Sequence, residues 1–308
     1  MAALFLQMTE RIIDISERPV SLHARNSLLV IDSPDGTNTM PLEEVSALVL
    51  AAGQATVSQA TLAGIAESGG AVVICNKSYM PAAMLLPFGS HFVQTERLAA
   101  QTSISAPTRK RLWQEIVRAK VRAQAHILEA EAGSDFGLSD LVAQVRSGDP
   151  TNVEARAAQI YWPRIFGDPS FRRRRDANDQ NRLLNYGYTV LRAIVARAIC
   201  ASGLHPSLGL HHHNRYDSFC LASDLMEPFR PLVDSAVCDI CRAEGADVEI
   251  SPVIKKSILQ SLYERYEVAG EQRTLFDIAT RVSNALARVF AGEQRNLEIP
   301  RIRPVVAR

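Results

Sequence analysis

The sequence has little of what marks several large protein classes. Its 308 residues include five cysteines, an odd number and too dilute for a disulfide scaffold, which points to a reducing, cytoplasmic setting. No stretch approaches the ~18 unbroken apolar residues of a membrane-spanning helix. The opening residues MAALFLQMTERIIDIS carry no leading basic run and meet a charge at Glu10, so they do not read as a secretory leader. G-x-x-x-x-G-K-[ST] and G-x-G-x-x-G are absent, which removes support for nucleoside-triphosphate and dinucleotide chemistry. G-x-S-x-G is absent too, and with it the serine-hydrolase elbow. No repeat recurs at a period of about 20–50 residues. The C-x-x-C at Cys238–Cys241 has no second pair. It lies in an apolar helical run (Leu232, Val233, Val237, Ile240) and reads as core thiols rather than a structural zinc site.

What is present is ordinary in bulk and uneven in detail. Apolar residues make up 47% and charged residues 22%, as in a soluble globular protein, and the length suits two domains. The net charge of +1 taken alone argues against a strongly basic nucleic-acid binder. Residues 1–100, however, hold five Lys and Arg against nine Asp and Glu, while residues 151–201 hold nine Arg against four acids. Positive charge is concentrated where a polyanion would bind.

The first 90 residues read as β-rich. Arg11–Ser16, Val20–Asn26 and Ser27–Asp32 are short, partly alternating segments, and Ser33-Pro-Asp-Gly36 suits a type I turn. Ala47–Ala51, Ala71–Cys75 and Ala82–Phe88 read as further strands, with a helix over Ser58–Ser68 that ends at Gly69-Gly70. From about His91 the period becomes helical. Helices are expected at Gln94–Ala132, Leu138–Arg146, Asn152–Tyr161, Gln180–Ala201, Ile254–Tyr266 and Thr274–Ala291. A linker is expected near Pro87–Glu96, and Ile299–Arg308 reads as a mobile basic tail. The expected fold class is α+β multidomain: a small β-rich N-terminal domain over residues 1–90 and a larger all-α C-terminal domain over 91–308.

Four stretches carry possible chemistry. Glu154 falls in the first turn of a helix that Thr151 or Asn152 can cap; it reads either as a dipole-favourable glutamate or, among Ala155, Ala157 and Ala158, as a carboxylate with room for a ligand. The loop Gly203–Asn214 holds four of the seven histidines, which are metal-ligand candidates or incidental polar residues. In Asp224-Leu-Met-Glu227 two acids three apart share a face, a hard oxygen pair suited to Mg²⁺ or Mn²⁺, with Arg230 able to pair with either. Arg172–Arg175 are four consecutive arginines, either a solvated run or a set of phosphate contacts. Tyr161, Trp162, Tyr186 and Tyr188 read as core or interface aromatics.

In this order the motifs resemble the CRISPR-associated spacer integrase and endonuclease ("Cas-one") family, over nearly the whole chain. The matching segments are Asn152-Val-Glu-Ala-Arg-Ala-Ala158 with Tyr161-Trp162, Asp176–Leu191 with its Asn-Tyr-Gly-Tyr, Pro206-Ser-Leu-Gly-Leu-His-His212, and Asp224-Leu-Met-Glu-Pro-Phe-Arg-Pro231. The short length and the G-x-H-H form resemble the type II branch, which accompanies a large RNA-guided effector nuclease. The resemblance implies Mg²⁺ or Mn²⁺ held by Glu154, His212 and Glu227. His212 is chosen by its spacing from Gly209, with His211 or His213 as the alternative ligand one position away. Asp224 is then auxiliary, Asn181 and Asn185 support the site, and Arg172, Arg173, Arg174 and Arg175 hold DNA phosphates. The implied activity is attack of a DNA 3′-hydroxyl on a phosphodiester, inserting short duplexes into a repeat array, or hydrolysis when water attacks. The implied partners are double-stranded DNA, a second copy through the β domain, and a small "Cas-two" dimer in a heterohexamer, with no membrane association. Two rival readings remain: a non-catalytic nucleic-acid scaffold using the arginine run, and a zinc hydrolase using the histidines with Cys238 and Cys241.

Overall fold

The computed structural model describes residues 11–15, 19–51, 54–76, 81–88, 93–174, 177 and 179–304. The chain divides into two units, residues 1–90 and 91–308. The first holds strands β1 (Arg11–Ile15), β2 (Val20–Arg25), β3 (Leu28–Ser33), β4 (Gly36–Pro41), β5 (Val45–Leu50) and β6 (Ala55–Val57), helix α1 (Gln59–Glu67), then β7 (Ala71–Cys75) and β8 (Pro81–Leu85). They form two four-stranded sheets, β1-β5-β7-β8 and β4-β3-β2-β6. The apolar runs of β5 and β7 lie at the centre of the first sheet, paired in parallel, where both faces are buried. Asn26 and Ser27, both at positive φ, make the tight hairpin between β2 and β3, and Ser33 Oγ donates to the Gly36 carbonyl across the next one. Leu22 and Leu29 of one sheet, Leu48 and Val72 of the other, and Ile65 of α1 share a single core.

The second unit is helical. It contains α2 (Gln94–Ser103), α3 (Ala106–Ala132), α4 (Leu138–Gln144), α5 (Val153–Ile165), α6 (Asn181–Ala201), α7 (Cys220–Leu225), α8 (Arg230–Glu244), α9 (Pro252–Tyr263), β9 (Arg265–Val268), β10 (Glu271–Thr274), α10 (Leu275–Phe290) and β11 (Arg303–Pro304). The helical stretch expected over Gln94–Ala132 is two helices. Ser105 caps α3, its Oγ accepting from the Thr108 amide, and Pro107 in the first turn has no N–H to continue a ladder from α2. Helix α6 is apolar nearly all round and lies inside the unit. It approaches α8 and α9 at Gly187, where a Cβ would stand 2.4 Å from Val233 Cγ1 and 3.0 Å from Ile258 Cγ2.

The helical unit also carries a small sheet, β10-β9-β11. The expected helix over Ile254–Tyr266 therefore stops at Tyr263. Ala269 and Gly270, both at positive φ, turn β9 into β10. The expected mobile tail is held as far as residue 304: the Leu297 amide donates to Glu115 Oε2 at 2.7 Å, and Arg303 pairs with Glu267. No helix among the described residues is long and apolar enough to cross a membrane.

Candidate metal centre

Glu154 stands at the start of α5. The cap is neither Thr151 nor Asn152, as the sequence suggests, but Asp149. Its Oδ1 accepts the Val153 amide at 3.0 Å and its Oδ2 accepts the Glu154 amide at 2.9 Å. Asn152 instead adopts a left-handed conformation, φ 50°, which turns the chain into the helix. With the first amides already bound, the Glu154 side chain has no capping duty. Its Oε1 accepts a 2.6 Å hydrogen bond from the Lys120 ammonium, which reaches across from α3.

The histidine loop folds around a buried carboxylate. Asp224 on α7 accepts the amides of Leu210 (2.6 Å), His211 (3.0 Å) and His212 (3.2 Å). Its Oδ1 also lies 2.6 Å from His212 Nδ1. An ionised carboxylate only accepts, so Nδ1 carries the proton and Nε2 is the ring nitrogen left with a lone pair. Gly209 makes the wrap possible, since a Cβ there would stand 2.4 Å from the His212 carbonyl oxygen. The His211 ring stacks on Trp113 of α3, with centroids 4.1 Å apart and planes 3° from parallel. His212 meets the same indole edge-on. The hydrogen bond to Asp224 raises the His212 pKa against the opposing effect of burial, and the Asp224, Glu227 and Glu154 charges add to the rise.

Glu227 opens a short 3₁₀ turn, Glu227–Phe229, and is buried. Its Oε1 pairs with Arg230 at 2.6 Å and its Oε2 with Lys120 at 2.6 Å. Burial pushes this carboxyl up, but Arg230 and Lys120 outweigh it and bring it down to about 2. Burial likewise pulls the Lys120 pKa down, and the Glu227 and Glu154 charges carry it above the ordinary lysine value. The two carboxylates therefore converge on one ammonium nitrogen.

Among the described residues no three His, Cys, Asp or Glu side chains stand together closely enough to hold a metal ion. The donor chemistry nonetheless fits a hard divalent cation: two carboxylates converge on a single cationic point, and Asp224 fixes an imidazole whose pKa both acids help to raise. Glu227 Oε2 is buried and faces the Lys120 ammonium at 2.6 Å. Asp224, with both oxygens committed to the loop, is left as the orienting acid.

The other sequence candidates are placed differently. Asn181 Oδ1 accepts from the Arg173 guanidinium and from the Arg174 amide, and Asn185 Oδ1 accepts from Arg173 Nη2. Arg173 is thus turned inward, its guanidinium 5.3 Å from the Tyr188 ring centre. Arg172 bonds the carbonyls of Pro169 and Phe171. Arg172 and Arg174 are exposed, and Arg175 lies outside the described residues. Of the run, Arg173 is an internal strut. Tyr161, Tyr186 and Tyr188 are buried, and Trp162 is half-buried. Cys238 is buried with Sγ 3.0 Å from the Ile165 carbonyl. Burial pushes both thiols of the C-x-x-C up to about 11, which disfavours the thiolate that zinc requires.

Sequence reasoning misses Lys120, Trp113 and the Asp149 cap. It also misses the buried Asp234, which accepts hydrogen bonds from Tyr161 and Tyr188. None of these has a local motif; Lys120 lies 34 residues from Glu154 in sequence.

Comparison with known proteins supplies the family. Residues 14–249 match the model of the CRISPR associated protein Cas1 family. The CRISPR-associated endonuclease Cas1 of Neisseria meningitidis is 35% identical over 283 residues, covering 90% of this chain and 91% of the relative. The CRISPR-associated endonuclease Cas1 2 of Pyrobaculum aerophilum is 25% identical over 267 residues, covering 81% and 89%. Two solved structures share the fold: a casposase bound to integration product (TM-score 0.77, 18% identity, covering 94% of this chain and 93% of that one) and a Cas1 protein from Thermotoga maritima (TM-score 0.71, 17% identity, covering 92% and 98%). With a β-rich unit, a helical unit and a family match across most of its length, the chain belongs to the Cas1 family of CRISPR-associated proteins.

Proposed function

We propose that this chain is a divalent-metal-dependent DNA endonuclease and integrase that joins short captured duplexes to a CRISPR repeat array in the cytoplasm. The observation that carries the reading is the convergence of Glu154 and Glu227 on one cationic point, with an imidazole fixed by Asp224 whose pKa both acids help to raise. Mg²⁺ or Mn²⁺ held by Glu154, His212 and Glu227 would supply Lewis acidity to the attacked phosphodiester and lower the pKa of the attacking hydroxyl. The 3′-oxygen of the captured strand forms the new P–O bond as the repeat strand's own P–O bond breaks, and water in place of the hydroxyl gives cleavage. Within the chain, Asp224 orients His212, and Arg230 compensates the buried charge of Glu227. Exposed Arg172 and Arg174 offer guanidinium groups to backbone phosphates, and Arg175 belongs to the same run.

The 35% identical Neisseria relative supports the type II assignment, with contact to that branch's large RNA-guided effector as its consequence. One solved neighbour is a Cas6-RT-Cas1–Cas2 complex (TM-score 0.75, 17% identity, covering 95% of this chain and 36% of that one). The assembly proposed here is a homodimer through the domain of residues 1–90, two such dimers flanking a dimer of the small "Cas-two" partner, with residues 91–308 catalytic. The test is joining of a short duplex to a repeat-bearing plasmid with Mg²⁺ or Mn²⁺, with and without the partner. Glu154→Ala, His212→Ala and Glu227→Ala should each abolish joining and cleavage while duplex binding persists. Full activity in all three would sink this reading, and function that resists EDTA would favour the non-catalytic scaffold instead.

A further inference from the structure

Lys120 is the least expected member of the site. It lies in the middle of α3, its side chain is 12% exposed, and its ammonium is 2.6 Å from both Glu154 Oε1 and Glu227 Oε2. Both carboxylates belong to the proposed ligand set, so the lysine stands where they would share a cation. A divalent ion cannot join that pair while the ammonium stays, because like charges at such separation repel strongly in a buried site.

A destination for the ammonium is already built. A cavity of about 170 Å³ opens beside Lys120, lined by Gln124, Trp162, Arg173, Tyr188, Arg230 and Asp234 among others. Gln124 stands one helical turn from Lys120, at the i,i+4 spacing that brings two side chains together. It is 2% exposed, and its Oε1 is buried without a hydrogen-bond partner. A buried acceptor left unmade is costly; an arriving ammonium would satisfy it.

We infer that Lys120 is a resident counter-cation that exchanges with the divalent metal, its ammonium leaving Glu154 and Glu227 for Gln124 Oε1 when the ion arrives. The exchange keeps the carboxylate pair neutralised in the metal-free chain, holds Glu154 and Glu227 in ligand geometry, and makes metal loading a displacement. The inference rests on the metal site proposed above and adds the lysine's part in it.

The experiment is calorimetric titration of Mn²⁺ into the full-length metal-free chain, with circular dichroism to verify the fold. Removing the competitor in Lys120→Gln should tighten Mn²⁺ binding by about tenfold or more. Removing the destination in Gln124→Leu should weaken it, and the double variant should bind like Lys120→Gln alone, since an acceptor has no role without the lysine. Folded Lys120→Gln that binds Mn²⁺ no more tightly than the wild type overturns the exchange while leaving the metal site standing. If Lys120→Gln does not fold, Gln124→Leu decides: unchanged Mn²⁺ affinity overturns the exchange. Absence of Mn²⁺ binding in the wild type and in every variant sinks the metal site and the exchange together. Binding that is abolished in Glu154→Gln but tightened in Lys120→Gln supports both.

Discussion

Replacing Asp224 with asparagine separates an orienting acid from a metal ligand. The carboxylate is fully buried. Its Oδ2 serves two amides, and its Oδ1 serves one amide and the His212 ring. Asparagine keeps one acceptor oxygen and turns an NH₂ toward two groups that are themselves donors. Two bonds to a charged acceptor, each worth about 1.5–3 kcal/mol net, are lost, and the remaining two lose their charge assistance. The expected cost is about 3–6 kcal/mol, a large share of a stability of roughly 5–15 kcal/mol. Urea unfolding of wild type and Asp224→Asn measures it, and hydrogen exchange at Leu210, His211 and His212 localises it. Those three amides should lose protection before the rest of the helical unit does. A loss under about 1 kcal/mol with the three amides still protected would refute the orienting role. The same variant losing all Mn²⁺ affinity with its stability intact would make Asp224 a ligand.

Three further perturbations test the frame around the site. Gly187→Ala drives a methyl to 2.4 Å from Val233 Cγ1 and should cost about 1–3 kcal/mol of overpacking; an unchanged melting temperature would mean that α6 and α8 have slack. Asp149→Ala frees the Val153 and Glu154 amides, should cost about 1 kcal/mol, and should weaken Mn²⁺ binding because Glu154 loses its fixed starting point; wild-type stability would show that Asn152 can take over the cap. Burial lifts the Asp234 carboxyl to about 6 from 3.8. Its contribution is thus complete below the unfolded value and lost as pH rises through about 6, a swing of about 3 kcal/mol. Urea midpoints at pH 4.5 and 7 should differ less in Asp234→Asn than in the wild type, and identical profiles would refute the assignment.

What the sequence makes legible follows from where each signal is written. Val45–Leu50 and Ala71–Cys75 are apolar runs because their strands are buried at a sheet centre. Gly36–Pro41 escapes sequence reading because an exposed edge strand needs no apolar pattern, and Ala55–Val57 is too short to show one. The helix breaks at Ser105 and Tyr263 are set by a cap and by a strand pairing with residues near the chain's end. The site divides the same way. Glu154, the histidine loop and Asp224–Glu227 are short local patterns, so each can be found alone. The groups that neutralise and aim them are distant in sequence. Lys120 reads as one more cation on a long amphipathic helix, Trp113 as core, and Arg173 as part of a solvated run until Asn181 and Asn185 turn it inward. A ligand pattern in sequence therefore names the acids without their counter-charges. In this chain the counter-charge is a lysine 2.6 Å from both acids, so on the exchange inferred above the affinity of the proposed centre would depend on Lys120 and on the unpartnered acceptor of Gln124 as well as on the proposed ligands.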